Sequence, residues 1–132
     1  MMAKSSLIQK SFKNKNVLIT GHTGFKGSWL TAWLKKLEAN VIGVSLDPIT
    51  YPSHFHAANI AKNINDLRID IRDRTTLSKE IIKAKPDFVF HLAAQSLVRK
   101  SYTNPVETWE TNVLGTLNVL EALKDWKMIV LQ

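Results

Sequence analysis

Apolar residues in this chain fall into short unbroken runs that alternate with stretches of helical period. Asn16-Val17-Leu18-Ile19-Thr20 is rich in β-branched residues and ends at Gly21, the pattern of a buried strand. Phe25 to Leu37 follows, with Leu30, Trp33, Leu34 and Leu37 at helical spacing. Val41 to Leu46 is a second apolar run, closed by Asp47-Pro48. Ile49 to Asn65 has mixed polarity and reads as loop with a short helix, and Leu67 to Ile71 as a brief third strand. Asp73 can cap a helix ending near Ala84, with Leu77, Ile81 and Ile82 among its apolar positions and Pro86 stopping it. Asp87 to Leu92 is a fourth strand. Asn104 then offers an N-cap, Pro105 suits a first turn and Glu107 completes a capping box, so the pattern predicts one long helix to about Lys124. Met128 to Leu131 begins a fifth strand.

Strands alternating with helices imply right-handed crossovers and a parallel sheet covered on both faces. Near-continuous apolar strands agree, because a half-exposed antiparallel strand would alternate. The expected fold is α/β: a doubly wound, nucleotide-binding sheet of order 3-2-1-4-5 spanning residues 16–132, without internal repeat or linker. At 132 residues the chain is one domain.

Composition narrows the setting. No cysteine is present, which removes disulfides and thiolate metal sites and fits a reducing, cytoplasmic environment. No apolar run approaches the roughly 20 residues of a membrane-spanning helix, so no membrane partner is expected. Residues 1–15 form a basic, solvated lead-in without the pattern of a signal peptide. The net charge of +7 includes Lys4, Lys10, Lys13 and Lys15 of that lead-in; the other cations are scattered, with no basic stripe interleaved with aromatics, so no nucleic-acid role is expected.

The chemistry concentrates between the first strand and the first helix, at Gly21-His22-Thr23-Gly24-Phe25-Lys26-Gly27. Gly21 permits a tight turn, Gly24 lets backbone approach a pyrophosphate, and Gly27 lets helix pack on sheet. The phosphates would sit at the helix amino terminus, where free N–H groups and the helix dipole favour anions. The spacing is GxxGxxG, and its place at the start of a βαβ unit is what gives it weight. Asp47 lies twenty residues beyond Gly27, at the end of the second strand. A carboxylate there can accept hydrogen bonds from the adenosine ribose and would repel a 2′-phosphate; no arginine stands beside it to offset that repulsion, so the expected cofactor is NAD. An Asp-Pro turn is the plain structural alternative for that residue. His54 and His56 have no further ligand candidate nearby, so no metal site is expected, and His22 and His91 read as packing or cofactor-adjacent residues.

With these residues in view, the sequence resembles the extended short-chain dehydrogenase/reductase family from about residue 12 to the end. Residues 21–30, GHTGFKGSWL, with Leu46-Asp47, Asp70-Ile71-Arg72-Asp73, residues 91–99, HLAAQSLVR, and Ser101-Tyr102 with Asn104-Pro105 look most like its CDP-glucose 4,6-dehydratase branch. Asn112-Val113, Gly115-Thr116 and Leu120-Glu121-Ala122 are shared across the wider family. The resemblance implies that Thr23, Phe25 and Lys26 line the pyrophosphate loop and that Asp70 and Ile71 flank the adenine. It implies that Leu92, Ala93, Ala94 and Gln95 pass beneath the ribose and nicotinamide. Arg99, Ser101 and Tyr102 would lie near the sugar nucleotide, CDP-glucose, and Asn112 would hold a proton-relay water or simply pack on the helix. The full-length protein would be a homo-oligomer and a lyase of deoxysugar or polysaccharide synthesis.

In that family a tyrosine with a lysine four residues later carries the chemistry, the lysine lowering the tyrosine pKa. Here Phe55 follows Tyr51 at that distance and Val106 follows Tyr102, so neither tyrosine fits. The resemblance places the pair beyond Gln132, so the expectation is a cofactor-binding portion, incomplete at its carboxy-terminal end and inactive alone. Another nucleotide-sugar epimerase or dehydratase, and a truncated non-catalytic dinucleotide-binding remnant, remain as alternatives.

Overall fold

A computed structural model describes residues 6–126 and the backbone of residues 129–131. Lys4 and Met128, both used in the sequence reading, lie outside the described residues. The chain runs α1 (Leu7–Phe12), β1 (Asn16–Thr20), α2 (Phe25–Lys36), β2 (Asn40–Ser45), α3 (His54–Ala57) and β3 (Asn65–Arg68). It continues through α4 (Arg74–Ala84), β4 (Phe88–His91), α5 (Val98–Thr103), α6 (Pro105–Trp109), a π-helical stretch (Glu110–Gly115), α7 (Thr116–Leu123) and β5 (Ile129–Leu131). All five strands are parallel, in the order β3-β2-β1-β4-β5, as the alternation of elements predicts. Among the described residues no helix is long and apolar enough to cross a membrane.

The pleat sorts the central strand onto two layers. Leu18 joins Ile42, Val44, Val89, Leu77, Ile81, Val119 and Leu123 in the core under α4 and α7. Val17 and Ile19 face the opposite way, into a core with Leu34, Leu37 and Val41 under α2. Val17, Leu18 and Ile19 are wholly buried, which stabilises the fold by roughly 1.5–3 kcal/mol for each side chain.

The lead-in is more structured than the sequence suggests. Ser6 caps α1 by accepting the Gln9 N–H, and Phe12 packs on the second core with its ring 4.9 Å from that of Phe88. An isolated six-residue helix has no intrinsic stability, so contact with the sheet is what holds it.

The third strand is hydrogen-bonded two to three residues earlier than its apolar run implies. Ser45 pairs with Arg68, and the ladder ends when the Ile69 N–H reaches the Ser45 carbonyl. Leu67, Ile69 and Ile71 all pack on the first core, so the apolar alternation is real but outlasts the pairing. Asp66 and Arg68 take the other side of the strand, toward His22 and Phe55.

The long helix expected from Asn104 to Lys124 is divided. Asn104 caps the first part as predicted by accepting the Glu107 N–H, but the capping box is not closed through the backbone. The Asn104 N–H goes to the Lys100 carbonyl, and it is the Asn104 side-chain amide that donates to the Glu107 carboxylate, at 2.7 Å. A π-helical stretch then separates α6 from α7. At its end a Cβ on Gly115 would come within 2.5 Å of Ile71, so the helix lies tight against the turn after β3.

Gly43, in the middle of β2, shows the same closeness on the opposite face, where an added Cβ would overlap the buried His22 ring. Gly43→Ala should therefore lower unfolding stability by about 1–3 kcal/mol, read from the urea midpoint, because neither ring nor strand has room to move.

Candidate functional site

The loops at the carboxyl ends of β1, β2 and β4 meet where a doubly wound sheet reverses its strand order, the usual position of a ligand crevice in such folds. The turn after β1 is Gly21, whose φ of +79° suits glycine, and whose missing Cβ would stand 2.7 Å from the Ala93 nitrogen. A Cβ at Gly27 would overlap the Gly21 carbonyl, so these two glycines answer to internal packing. Gly24 differs. A Cβ there would meet only the Gly21 carbonyl, at 3.4 Å, so the fold itself does not require glycine at this exposed position.

Gly24 is also the N-cap of α2, and it supplies no side-chain acceptor. In α1, α3, α4 and α6 a Ser, Asp or Asn closes the first turn, through Ser6, Ser53, Asp73 and Asn104. The first turn of α2 holds no acidic residue either. It therefore presents N–H donors and a positive dipole end to solvent, over a surface with no side chain to fill it. Phe25 and Lys26 stand exposed at its rim. Thr23 turns away: its hydroxyl donates to the Leu46 carbonyl at 2.9 Å and accepts from Ser45, tying the glycine loop to the end of β2.

That tie places Asp47 beside the loop, 86% exposed. The expectation that no arginine stands near it is corrected by the structure. The β2–β3 register brings Arg68 alongside, and its Nε donates to Asp47 Oδ1 at 2.9 Å. Sequence separation hides this contact, because it depends on the pairing of two strands across a long loop. The same guanidinium grips both oxygens of Asp66, at 2.8 and 3.1 Å, and lies 5.0 Å over the Phe55 ring. Asp66 also meets the buried His22, whose Nε2 is 2.6 Å from it. Burial lowers the His22 pKa despite the opposing carboxylate, so the neutral ring donates through Nε2.

Asp70 and Ile71 follow β3. The Asp70 carboxylate accepts from the Arg72 backbone and guanidinium, which holds its pKa below the usual value, and Ile71 is buried. Leu92, Ala93, Ala94 and Gln95 form the extended segment leaving β4, with Ala94 the exposed one.

Two polar networks fix that segment. Thr20, at the end of β1, accepts the Leu92 and Ala93 N–H groups, each at 3.1 Å, so its own proton goes to His91 Nδ1 at 2.6 Å. His91 Nε2 must then donate to the Thr116 hydroxyl at 2.8 Å, which donates onward to the Asn112 carbonyl. Burial lowers the His91 pKa, and this set of partners suits the neutral tautomer. Asn112 completes the second network. Its Oδ1 accepts the Gln95 N–H at 2.7 Å and its Nδ2 donates to the Gln95 carbonyl at 3.0 Å. Both functions of that side chain are engaged, so here Asn112 positions the segment. The neutral His91 relay was not foreseen, although Thr20 and Thr116 are the natural partners for a buried imidazole.

Arg99, Ser101 and Tyr102 fall on α5, a helix the hydrophobic pattern did not reveal. Arg99 and Tyr102 are exposed, whereas the Ser101 hydroxyl donates back to the Val98 carbonyl. His54 does not stand on a free loop: its Nδ1 is 2.7 Å from Ser28 Oγ and its ring stacks on Trp29 at 4.1 Å.

A family model described as GDP-mannose 4,6 dehydratase matches residues 18–130. Over 119 residues the chain is 48% identical to a CDP-glucose 4,6-dehydratase of Salmonella typhimurium, covering 89% of this chain and 33% of that protein. It is 34% identical to a probable dTDP-glucose 4,6-dehydratase of Sinorhizobium fredii over 113 residues, 83% of this chain and 32% of that one. Among solved structures, the epimerase Mth375 of Methanothermobacter thermautotrophicus aligns with a TM-score of 0.75 at 36% identity, over 88% of this chain and 33% of its own. The Bordetella bronchiseptica enzyme WbmF in complex with NAD+ aligns with a TM-score of 0.73 at 29% identity, over 91% and 36%. The chain thus spans about a third of the length of the curated relatives it matches.

Thr20→Val keeps the shape of the side chain but orphans the Ala93 N–H and His91 Nδ1, while the Leu92 N–H keeps its bond to the Thr20 carbonyl. It should cost about 2–4 kcal/mol in denaturant unfolding. The buried histidines also set a pH dependence. Below the ordinary histidine value of 6.5 the unfolded chain takes up protons at His22 and His91 that the folded chain refuses. Unfolding free energy should hold above that pH and fall beneath it, by up to about 1.4 kcal/mol per pH unit for each ring. Asp70 and Asp73, held below 3.8, add a further loss only at more acidic pH. A urea series between pH 8 and about pH 5 checks the histidine part, and His91→Gln should flatten it.

Proposed function

The chain belongs to the GDP-mannose 4,6-dehydratase family, and from that premise we propose that it is the NAD-binding portion of a nucleotide-sugar 4,6-dehydratase. The reaction we assign to the full-length protein converts CDP-glucose to CDP-4-keto-6-deoxyglucose with loss of water, a lyase activity. The observation that carries the cofactor assignment is the start of α2. It lacks a side-chain cap and leaves the face of Gly24 open although the fold does not need glycine there. Substrate choice rests on the 48% identity to the Salmonella typhimurium CDP-glucose enzyme, against 34% to the probable dTDP-glucose enzyme.

In this reading NAD supplies a hydride acceptor that is restored within each turnover. The chain's own residues do the holding. Gly21, Gly24 and Gly27 shape the loop, and the N–H groups of the first turn of α2 bind the pyrophosphate with Phe25 and Lys26 at the rim. Thr23 fixes the loop to β2, which keeps Asp47 in reach of ribose hydroxyls. Asp70 and Ile71 bound the adenine. Leu92, Ala93, Ala94 and Gln95 offer a low surface for the nicotinamide end, kept flat by Thr20 and Asn112. Arg99 and Tyr102, both exposed on α5, are assigned to the sugar nucleotide, with Ser101 beside them.

A cytoplasmic homo-oligomer is the expected state of the full-length protein. The exposed apolar row Val106, Trp109, Val113, Leu117 and Leu120 along α6 to α7 supports the oligomer.

Incubating the intact gene product with CDP-glucose and catalytic NAD should yield a 4-keto-6-deoxy sugar nucleotide. Turnover of UDP-glucose or dTDP-glucose but not CDP-glucose would sink the substrate assignment, and an epimerised product without dehydration would move the protein to the epimerases. Asp47→Ala should weaken NAD binding by about ten- to a hundredfold, since hydrogen bonds to a carboxylate contribute roughly 1.5–3 kcal/mol.

A further inference from the structure

Arg68 joins the exposed Asp47 to a group of side chains buried beneath it. Its two Nη groups are anchored on Asp66, which is itself held by the buried His22, and its flat face lies over the buried Phe55. Only the Nε edge reaches outward, to Asp47. The exposures follow the same order: the Asp66 side chain is 20% exposed, Arg68 34% and Asp47 86%. The guanidinium is therefore fixed from beneath, and its outer edge is covered by one solvent-facing carboxylate.

Such an arrangement has two consequences for a ligand at Asp47. A lone exposed aspartate samples several rotamers, and a ligand must select one; a donor at 2.9 Å selects it beforehand. The local charge also matters. Asp47 and Asp66 carry two negative charges, Arg68 one positive and the neutral His22 none, so the cluster is net negative and repels a phosphate dianion. Without the Asp47 carboxylate the cluster becomes neutral and the outer edge of a preformed guanidinium faces the ligand, the geometry that suits phosphate.

We propose that Arg68, braced by Asp66, sets the nucleotide selectivity of this site: it orients Asp47 toward the ribose hydroxyls and is a latent contact for a ribose 2′-phosphate. The inference rests on the cofactor reading given above. Arg68 is a positioning residue toward NAD and a direct ligand only toward the phosphorylated form.

The test measures Kd for NAD and NADP at fixed salt in the full-length protein, for the wild type, D47S, R68Q and the D47S/R68Q double variant, with circular dichroism as the folding control. The wild type should prefer NAD. D47S should shift the NADP-to-NAD affinity ratio toward NADP by about tenfold or more, R68Q should weaken NAD several-fold, and the double variant should lose most of the D47S shift. Because R68Q keeps a polar side chain of similar length, and because the readout is a ratio of two ligands, a general loss of folding cannot imitate this pattern. NADP binding by the double variant equal to that of D47S would overturn the proposal, as would D47S without a shift toward NADP. A ratio unchanged across the series in a wild type that binds NAD would overturn this inference alone. A wild type that binds neither dinucleotide would overturn the cofactor reading and this inference together.

Discussion

The site depends on how closely the chain leaving β1 approaches the chain leaving β4. Thr20 sets that approach. Its single hydroxyl accepts two N–H groups from the β4 exit and donates to His91, so three groups from the neighbouring strand converge on one oxygen. Gly21 follows at once, and the missing Cβ is what lets the glycine loop turn within van der Waals distance of Leu92 and Ala93. From this junction the loop runs to α2 on one side, while the segment that Asn112 clamps runs toward α5 on the other. Each half of the cradle inherits its position from the same few atoms.

The polar groups around the junction are arranged so that each donor has an acceptor with one proton assignment. Thr20, His91, Thr116 and the Asn112 carbonyl form a directional chain, and reversing any link would leave two donors or two acceptors facing each other. A buried network that is fully matched rigidifies its surroundings. That matters for Leu92 to Gln95, an extended segment whose backbone link to β1 is the Leu92 N–H bond to the Thr20 carbonyl.

Much of this could be read from the sequence. The apolar runs gave β1, β2 and β4 nearly to the residue, because central parallel strands are buried on both faces and leave an unmistakable pattern. Gly21, Gly24 and Gly27 were legible for a related reason, since glycine at fixed offsets between strand and helix answers to backbone geometry. The caps at Asp73 and Asn104 were legible as local hydrogen-bond chemistry. The readings that failed depend on pairing at a distance. Arg68 reaches Asp47 only through the β2–β3 register, and β3 is an edge strand whose apolar alternation runs past its hydrogen bonds. Asn112 could be picked out but not its bidentate hold on Gln95. Helix α5 escaped because a six-residue helix with no buried face, Val98 to Thr103, carries too little periodicity to stand out.

The π-helical stretch has a consequence for the geometry of everything after it. In an α-helix each residue advances about 100° around the axis, so one residue accommodated in a wider turn resets the phase of all that follow. Asn112 faces Gln95 and, seven residues later, Val119 faces the core between the sheet and α4. Across the π-helical stretch one continuous rod presents a polar clamp to the β4 exit at Asn112 and an apolar edge to the core at Val119 and Leu123.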